Sequence, residues 1–203
     1  MINEANLKNK VINELQTIAD ARFLWYSQKI EKEIDSYIAE ITDGLKIVLN
    51  NIYSQYIKLQ DSGEVGTLKW IYLSFLHTSF LDHSPCYKIN FYDKRDCISE
   101  IECTELWDFK YIFDCYYNIE NEIIEKLNKQ TRVLRHEIND MLIQLQQKFH
   151  YLANAWIITI IKNILKEDDV FILKESNVKF MLGEYLDNSE LIAVYEDETE
   201  DYL

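Results

Sequence analysis

The strongest constraint on this chain is an apolar stripe that keeps helical step from Ile12 to Tyr56. Ile12, Leu15, Ala19, Phe23, Tyr26 and Ile30 begin it, and Ile41, Leu45, Val48, Ile52 and Tyr56 end it, always three or four residues apart. That spacing puts every member on one face of a helix. A helix of such length is marginal in water unless its apolar face is covered. Another long helix must therefore lie against it, from this chain or from a second copy. Asp43-Gly44 is the one breaker inside the stripe, and a glycine there can cap one helix before the next begins. The expectation is two helices, about 4–42 and 45–60, with a single kinked helix as the alternative.

Four glycines and one proline in 203 residues leave few places for turns, which favours long helices over an all-β chain. Helical spacing resumes from Leu106 to Leu127 and again over about 131–166, through Leu134, Ile138, Leu142, Phe149, Trp156 and Ile160. Between the helical halves, Asp61 to Gly66 reads as a loop and Thr67 as an N-cap. The segment that follows, about 67–81, is apolar nearly all round (Leu68, Trp70, Ile71, Leu73, Phe75, Leu76), which predicts a buried central helix. Cys86 to Tyr92 alternates, Asp93 to Asp96 turns, and Cys97 to Cys103 alternates again, predicting a β-hairpin over about 86–103. Val178 to Tyr185 and Glu190 to Tyr195 flank a turn at 186–189 and predict a second hairpin over about 178–195, with Gly183 marking a bulge. Val170 to Leu173 reads as a short strand. An isolated hairpin is marginal, so the two are expected to share one small antiparallel sheet. The predicted class is α+β, predominantly helical: long antiparallel helices around the central helix, in a single domain over 1–195 with an acidic, frayed tail over 196–203.

Charge narrows the function classes. The net charge is −14, and it is uneven: residues 131–166 carry 5 basic and 2 acidic groups, while residues 167–203 carry 2 and 12. Neutralising phosphates needs Lys and Arg, so the acidity disfavours nucleic acid and anionic membrane. Met1-Ile2-Asn3-Glu4 lacks the basic and apolar regions of a secretion signal. Cys86, Cys97, Cys103 and Cys115 therefore read as reduced thiols, and the expected address is cytoplasmic.

No motif fixes a reaction, and no cofactor is expected. His77, His83 and Cys86 form the one weak metal candidate, because zinc accepts His and Cys but its structural sites favour tight paired spacings that are missing here. Loose carboxylate groups, Glu102 with Glu105 and Asp108 or Glu122 with Glu125, read as solvated faces. The basic segment offers Arg132, Arg135, His136 and Lys148 as partner-binding candidates. These residues either pair with the chain's own acids, which is the preferred reading, or receive an acidic partner or phosphates.

The acidity, the abundant tyrosine and the missing catalytic signature favour a non-enzymatic protein–protein interaction module, of the acidic inhibitor or assembly-subunit kind, with a homodimer through the long helices as a second expectation. An enzyme with a scattered carboxylate and histidine site, or a nucleic-acid binder using the 131–166 helix, stand as alternatives.

Overall fold

The computed structural model describes residues 4–166 and 177–195. The short strand expected at 170–173 and the tail at 196–203 lie outside those residues. The fold is α+β and predominantly helical, as the periodicities predict. The described residues divide into two compact units, one built from the chain up to Ser36 with Lys110–Ala155, the other from Tyr37–Phe109 with the chain from Trp156 onward.

Helix α1 runs from Glu4 to Asp61 without a break, and it contributes to both units. Asp43-Gly44 does not divide it. Gly44 sits in the helix interior, where an added Cβ would meet nothing nearer than the Trp107 Nε1 at 3.9 Å. The uninterrupted apolar stripe outweighs one glycine, whose cost in a helix is only about 1 kcal/mol.

In the first unit, α1 packs with α3 (Phe113–Leu127) and the first part of α4 (Asn139–Ile164). Phe149 is fully buried and meets Phe23 at 5.1 Å and Tyr116 at 6.2 Å, both edge to face. Ion pairs report the helix directions. Lys8 pairs with Glu137 and Asp20 with Lys148, so the numbers rise together and α1 runs parallel to α4. Tyr116 faces Phe149 while Glu120 faces Arg135, so α3 runs against α4. The expected antiparallel packing holds for α3 against α1 and against α4, which leaves α1 and α4 parallel to each other within this unit. A 3-10 turn, Arg135–Ile138, precedes α4, so this helix begins later than its apolar pattern suggests.

The second unit holds a five-stranded sheet, in the order β3 (Cys103–Asp108), β2 (Cys86–Tyr92), β1 (Trp70–Phe75), β4 (Val178–Glu184) and β5 (Ser189–Tyr195). The segment expected as a central helix, 67–81, forms strand β1 (Trp70–Phe75) and the short helix α2 (His77–Leu81). A short run that is apolar on all sides fits a buried strand as well as a buried helix, and its aromatic residues favour the pleated form. β1 pairs antiparallel with β2 (Cys86–Tyr92) and parallel with β4 (Val178–Glu184), while β3 (Cys103–Asp108) and β5 (Ser189–Tyr195) form the edges. The two hairpins do share a sheet, but the sheet is mixed rather than antiparallel. The second arm of the first hairpin starts at Cys103, where the alternation from Cys97 was expected to end. Leu106 belongs to β3, and helix resumes only at Phe113. The bulge lies between Phe180 and Met181, not at Gly183.

One sheet face is covered. Ile71, Leu73, Phe75, Tyr87, Ile89, Phe91, Phe180 and Leu182 are all buried on it. Residues 41–56 of α1 belong to this core: Ile41, Leu45, Leu49, Ile52 and Tyr56 are essentially inaccessible. The Cys103 thiol donates to the Ile52 carbonyl at 3.5 Å, and the Tyr56 ring meets Phe91 at 6.0 Å. Each such aliphatic side chain contributes about 1.5–3 kcal/mol by leaving water.

The unbroken helix has a direct consequence. Gly44→Ala should stabilise the protein by about 0.5–1 kcal/mol, since a helix-interior glycine only adds unfolded-state entropy. Gly63→Ala, at φ 77°, should destabilise it by about 1 kcal/mol. Urea unfolding of both variants checks this; a destabilised Gly44→Ala would mean that Gly44 caps a helix end.

Candidate functional site

The strand period of two sends alternate residues to the opposite face of the sheet, which is open at a cleft although Ser74, Asn90 and Tyr92 on it are buried. Tyr72 stands across from Asn90, Trp70 across from Tyr92 and Ser74 across from Lys88. On the other side of β1, Trp70 neighbours Lys179 and Tyr72 neighbours Met181. This face therefore carries aromatic rings together with polar groups, where the covered face carries aromatic rings with aliphatic ones.

A cleft of about 330 Å³ opens there. Tyr72, Ser74, Asn90 and Tyr92 come from the strands, Cys97 from the β2–β3 connection, and Glu184, Tyr185, Leu186 and Asp187 from the end of β4 and its turn. The Tyr72 and Tyr92 rings meet edge to face at 5.7 Å. Burial raises the Tyr72 phenol above its ordinary range, and a hydrogen bond with Asp96 raises it further. Burial likewise raises Tyr92. Both rings stay neutral near pH 7.

Among the cleft residues Asn90 is the anomaly. It is 2% exposed, and its side-chain nitrogen has no hydrogen-bond partner. A buried donor left unpaired costs about 1–3 kcal/mol, and native interiors contain few of them.

Two turns hold the rim. Asp93 is buried and accepts from the Gly66 N–H at 2.8 Å, the Arg95 N–H at 2.8 Å and the Arg95 Nε at 2.9 Å. The Arg95 guanidinium, aided by the two backbone donors, pulls its carboxyl down to about 2. Arg95 also reaches the Glu64 carbonyl at 3.0 Å, tying the loop after α1 to the turn that presents Cys97. On the other side, the Tyr185 N–H donates to the Phe75 carbonyl at 3.1 Å and the Glu184 N–H to the Asn188 carbonyl at 3.0 Å. The turn closes so tightly that a Cβ on Gly183 would lie 2.1 Å from the Asn188 oxygen. Leu186, at the tip, is 88% exposed with φ 60°. A branched side chain held in the left-handed region stores about 1–2 kcal/mol of strain.

Lys88 flanks the cleft. Its ammonium donates to Glu102 at 2.8 Å and to the Tyr185 hydroxyl at 2.9 Å. Burial opposes its charge, but these hydrogen bonds win and raise the group above its usual range.

The residues singled out by sequence lie elsewhere. In the first unit Arg135 faces Glu120 at 3.4 Å, and Lys148 faces Asp20 at 2.6 Å. The Lys148 hydrogen bond lowers the Asp20 carboxyl. Arg132 and His136 are exposed. The basic segment is thus answered in part by the chain's own acids, from α1 and α3. The metal candidates do not converge: His77 faces Glu184 at 3.1 Å, His83 sits in a left-handed turn, and Cys86 is buried in β2. Among the described residues no three or more His, Cys, Asp or Glu side chains gather as a metal site requires. Glu102 pairs with Lys88, Glu122 with Arg22, and Glu105 accepts from Asn51 at 3.4 Å. Among the described residues no helix is long and apolar enough to cross a membrane. No known family, curated protein or solved structure matches the chain.

Cysteine reactivity checks the rim. Cys97 is exposed, Cys86 and Cys103 are buried, and burial pushes the Cys103 and Cys115 thiols up to about 11. A maleimide at neutral pH should modify Cys97 first, and Cys97→Ser should remove that fast phase. Rapid labelling of Cys86 or Cys103 in the folded protein would contradict this placement.

Proposed function

We propose that this chain is a non-enzymatic interaction module that docks a protein partner on the open face of its sheet. The unpaired Asn90 amide carries the reading, because a partner's carbonyl would recover the free energy lost by burying that donor. Three tyrosines beside it supply broad contact area at low conformational cost. The exposed, strained Leu186 adds an apolar anchor at the rim, and strain of this kind clusters at binding sites. The chain's net charge of −14 would steer basic partners towards it. Four cysteines without a disulfide fit a reducing compartment such as the cytoplasm.

Two rival surfaces follow from the same residues. Arg132 and His136, exposed in the same basic segment as Arg135 and Lys148, would receive an acidic partner or nucleic-acid phosphates. Leu24, Trp25, Ile143 and Tyr151, exposed on the long helices, would serve a homodimer. An enzymatic alternative would use His77 with Glu184. The sheet face is favoured because Arg135 and Lys148 are already paired, whereas Asn90 is not.

Affinity capture from native lysate with three baits decides between these surfaces. Leu186→Gly should relieve backbone strain, stabilise the protein by about 1 kcal/mol, and yet lose a stoichiometric partner retained by the wild type. The triple variant Arg132→Ala, Arg135→Ala, Lys148→Ala should keep it. The opposite pattern would move docking to the basic segment, and a wild-type bait with no stoichiometric partner would contradict the proposal.

A further inference from the structure

We infer that the cleft on the open sheet face receives an arginine side chain of the partner, its guanidinium between tyrosine rings and carboxylates and its backbone carbonyl on Asn90. This inference rests on the docking surface proposed above and names the chemistry recognised there.

Charge selects the cation. Glu184 and Asp187 line the cleft, Asp96 hydrogen-bonds with Tyr72, and among the described lining residues there is no Lys, Arg or His. The basic groups nearby are already engaged: Lys88 with Glu102, and His77 with Glu184. An anionic ligand would face Glu184 and Asp187, whereas a cation would be drawn to them.

The rings select for the same sign. An aromatic face attracts a cation within about 6 Å of its centroid. This sheet face shows the interaction twice within the molecule: Lys179 lies 4.4 Å over Trp70, and Lys88 lies 4.5 Å over Tyr185. Among the described residues no cation lies over Tyr72 or Tyr92, the other rings of the cleft, and burial keeps both phenols neutral. A planar guanidinium can lie against a ring while its N–H fork reaches carboxylates, which a compact ammonium does less well.

Asn90 makes the ligand a peptide rather than a bare cation. Its unpaired atom is a donor, and a guanidinium has no acceptor to offer. The ligand must bring a carbonyl together with its positive charge. The amide nitrogen is shielded from water, so a ligand's carbonyl reaches it only as the side chains around it move. The volume of about 330 Å³ lies at the small end of ligand sites, suiting one residue and its backbone rather than a nucleotide.

Titration of the full-length, isotope-labelled protein with a blocked Gly-Arg-Gly peptide tests this by NMR. Saturable shifts should centre on Tyr72, Asn90, Tyr92, Cys97 and residues 184–187, and bound peptide should slow maleimide labelling of Cys97. Replacing arginine by uncharged citrulline should weaken binding about tenfold or more, and lysine should fall between. Glu184→Gln with Asp187→Asn should weaken the arginine peptide to a similar degree. Asn90→Ala removes an unpaired donor and should therefore fold normally; it should weaken the peptide but leave binding of the guanidinium ion unchanged. Equal affinity for citrulline, shifts centred on residues 132–148, or no saturable binding would each overturn the inference. If the peptide fails while the partner captured from lysate still depends on Leu186, only the guanidinium chemistry is wrong. Loss of both removes the docking surface itself.

Discussion

Strand β1 is hydrogen-bonded on both of its edges, to β2 running against it and to β4 running with it. Every other strand joins the sheet through one of those two neighbours. The residues of β1 therefore set both faces at once. Ile71, Leu73 and Phe75 point into the core, and Trp70, Tyr72 and Ser74 point away from it. A parallel neighbour cannot be reached by a tight turn. The chain between β1 and β4 makes that crossover, and β2, β3, α3 and α4 all lie within it. The cleft exists because this distant strand returns to place Glu184 and Tyr185 beside Tyr72 and Asn90.

The two faces of the sheet differ in what they pack. On the covered side, aromatic rings interlock: Tyr87 meets Phe75 at 5.3 Å, Phe109 at 5.8 Å and Trp107 at 6.0 Å. On the open side an amide is buried without a partner and a leucine is held at positive φ. Those two features cost stability and return nothing within the fold. Conflicts between local preference and global structure concentrate at functional sites, which is why docking is proposed on this face.

What the residues reveal in advance follows from the range of the interactions. The helical stripe of α1 is legible because steps of three and four persist from Ile12 to Tyr56, and the second hairpin is legible because its strands and turn are contiguous. Trp70 to Phe75 is misread because a short apolar run has no period to distinguish strand from helix. The parallel direction of β1 and β4 depends on a pairing across most of the chain, and no local pattern encodes it. Arg135 and Lys148 stand out in sequence as unbalanced charge, yet their counter-charges, Glu120 and Asp20, lie on other helices. The site was hidden for a related reason. Lys88 and Asn90 are readable as the outward face of a strand, but only the Tyr72–Asn90 register brings β1's tyrosine to them.

The arrangement of β1 carries the core, the cleft and both proposals, so its pairing is the quantity to measure. Nuclear Overhauser contacts between backbone protons of residues 70–75 and 178–184 report it directly. Contacts that advance together along both segments, with Tyr72 beside Met181 and antiparallel contacts from Tyr72 to Asn90, are the predicted result. Helical contacts running from Thr67 through Leu81, or an antiparallel pattern between β1 and β4, would contradict the account.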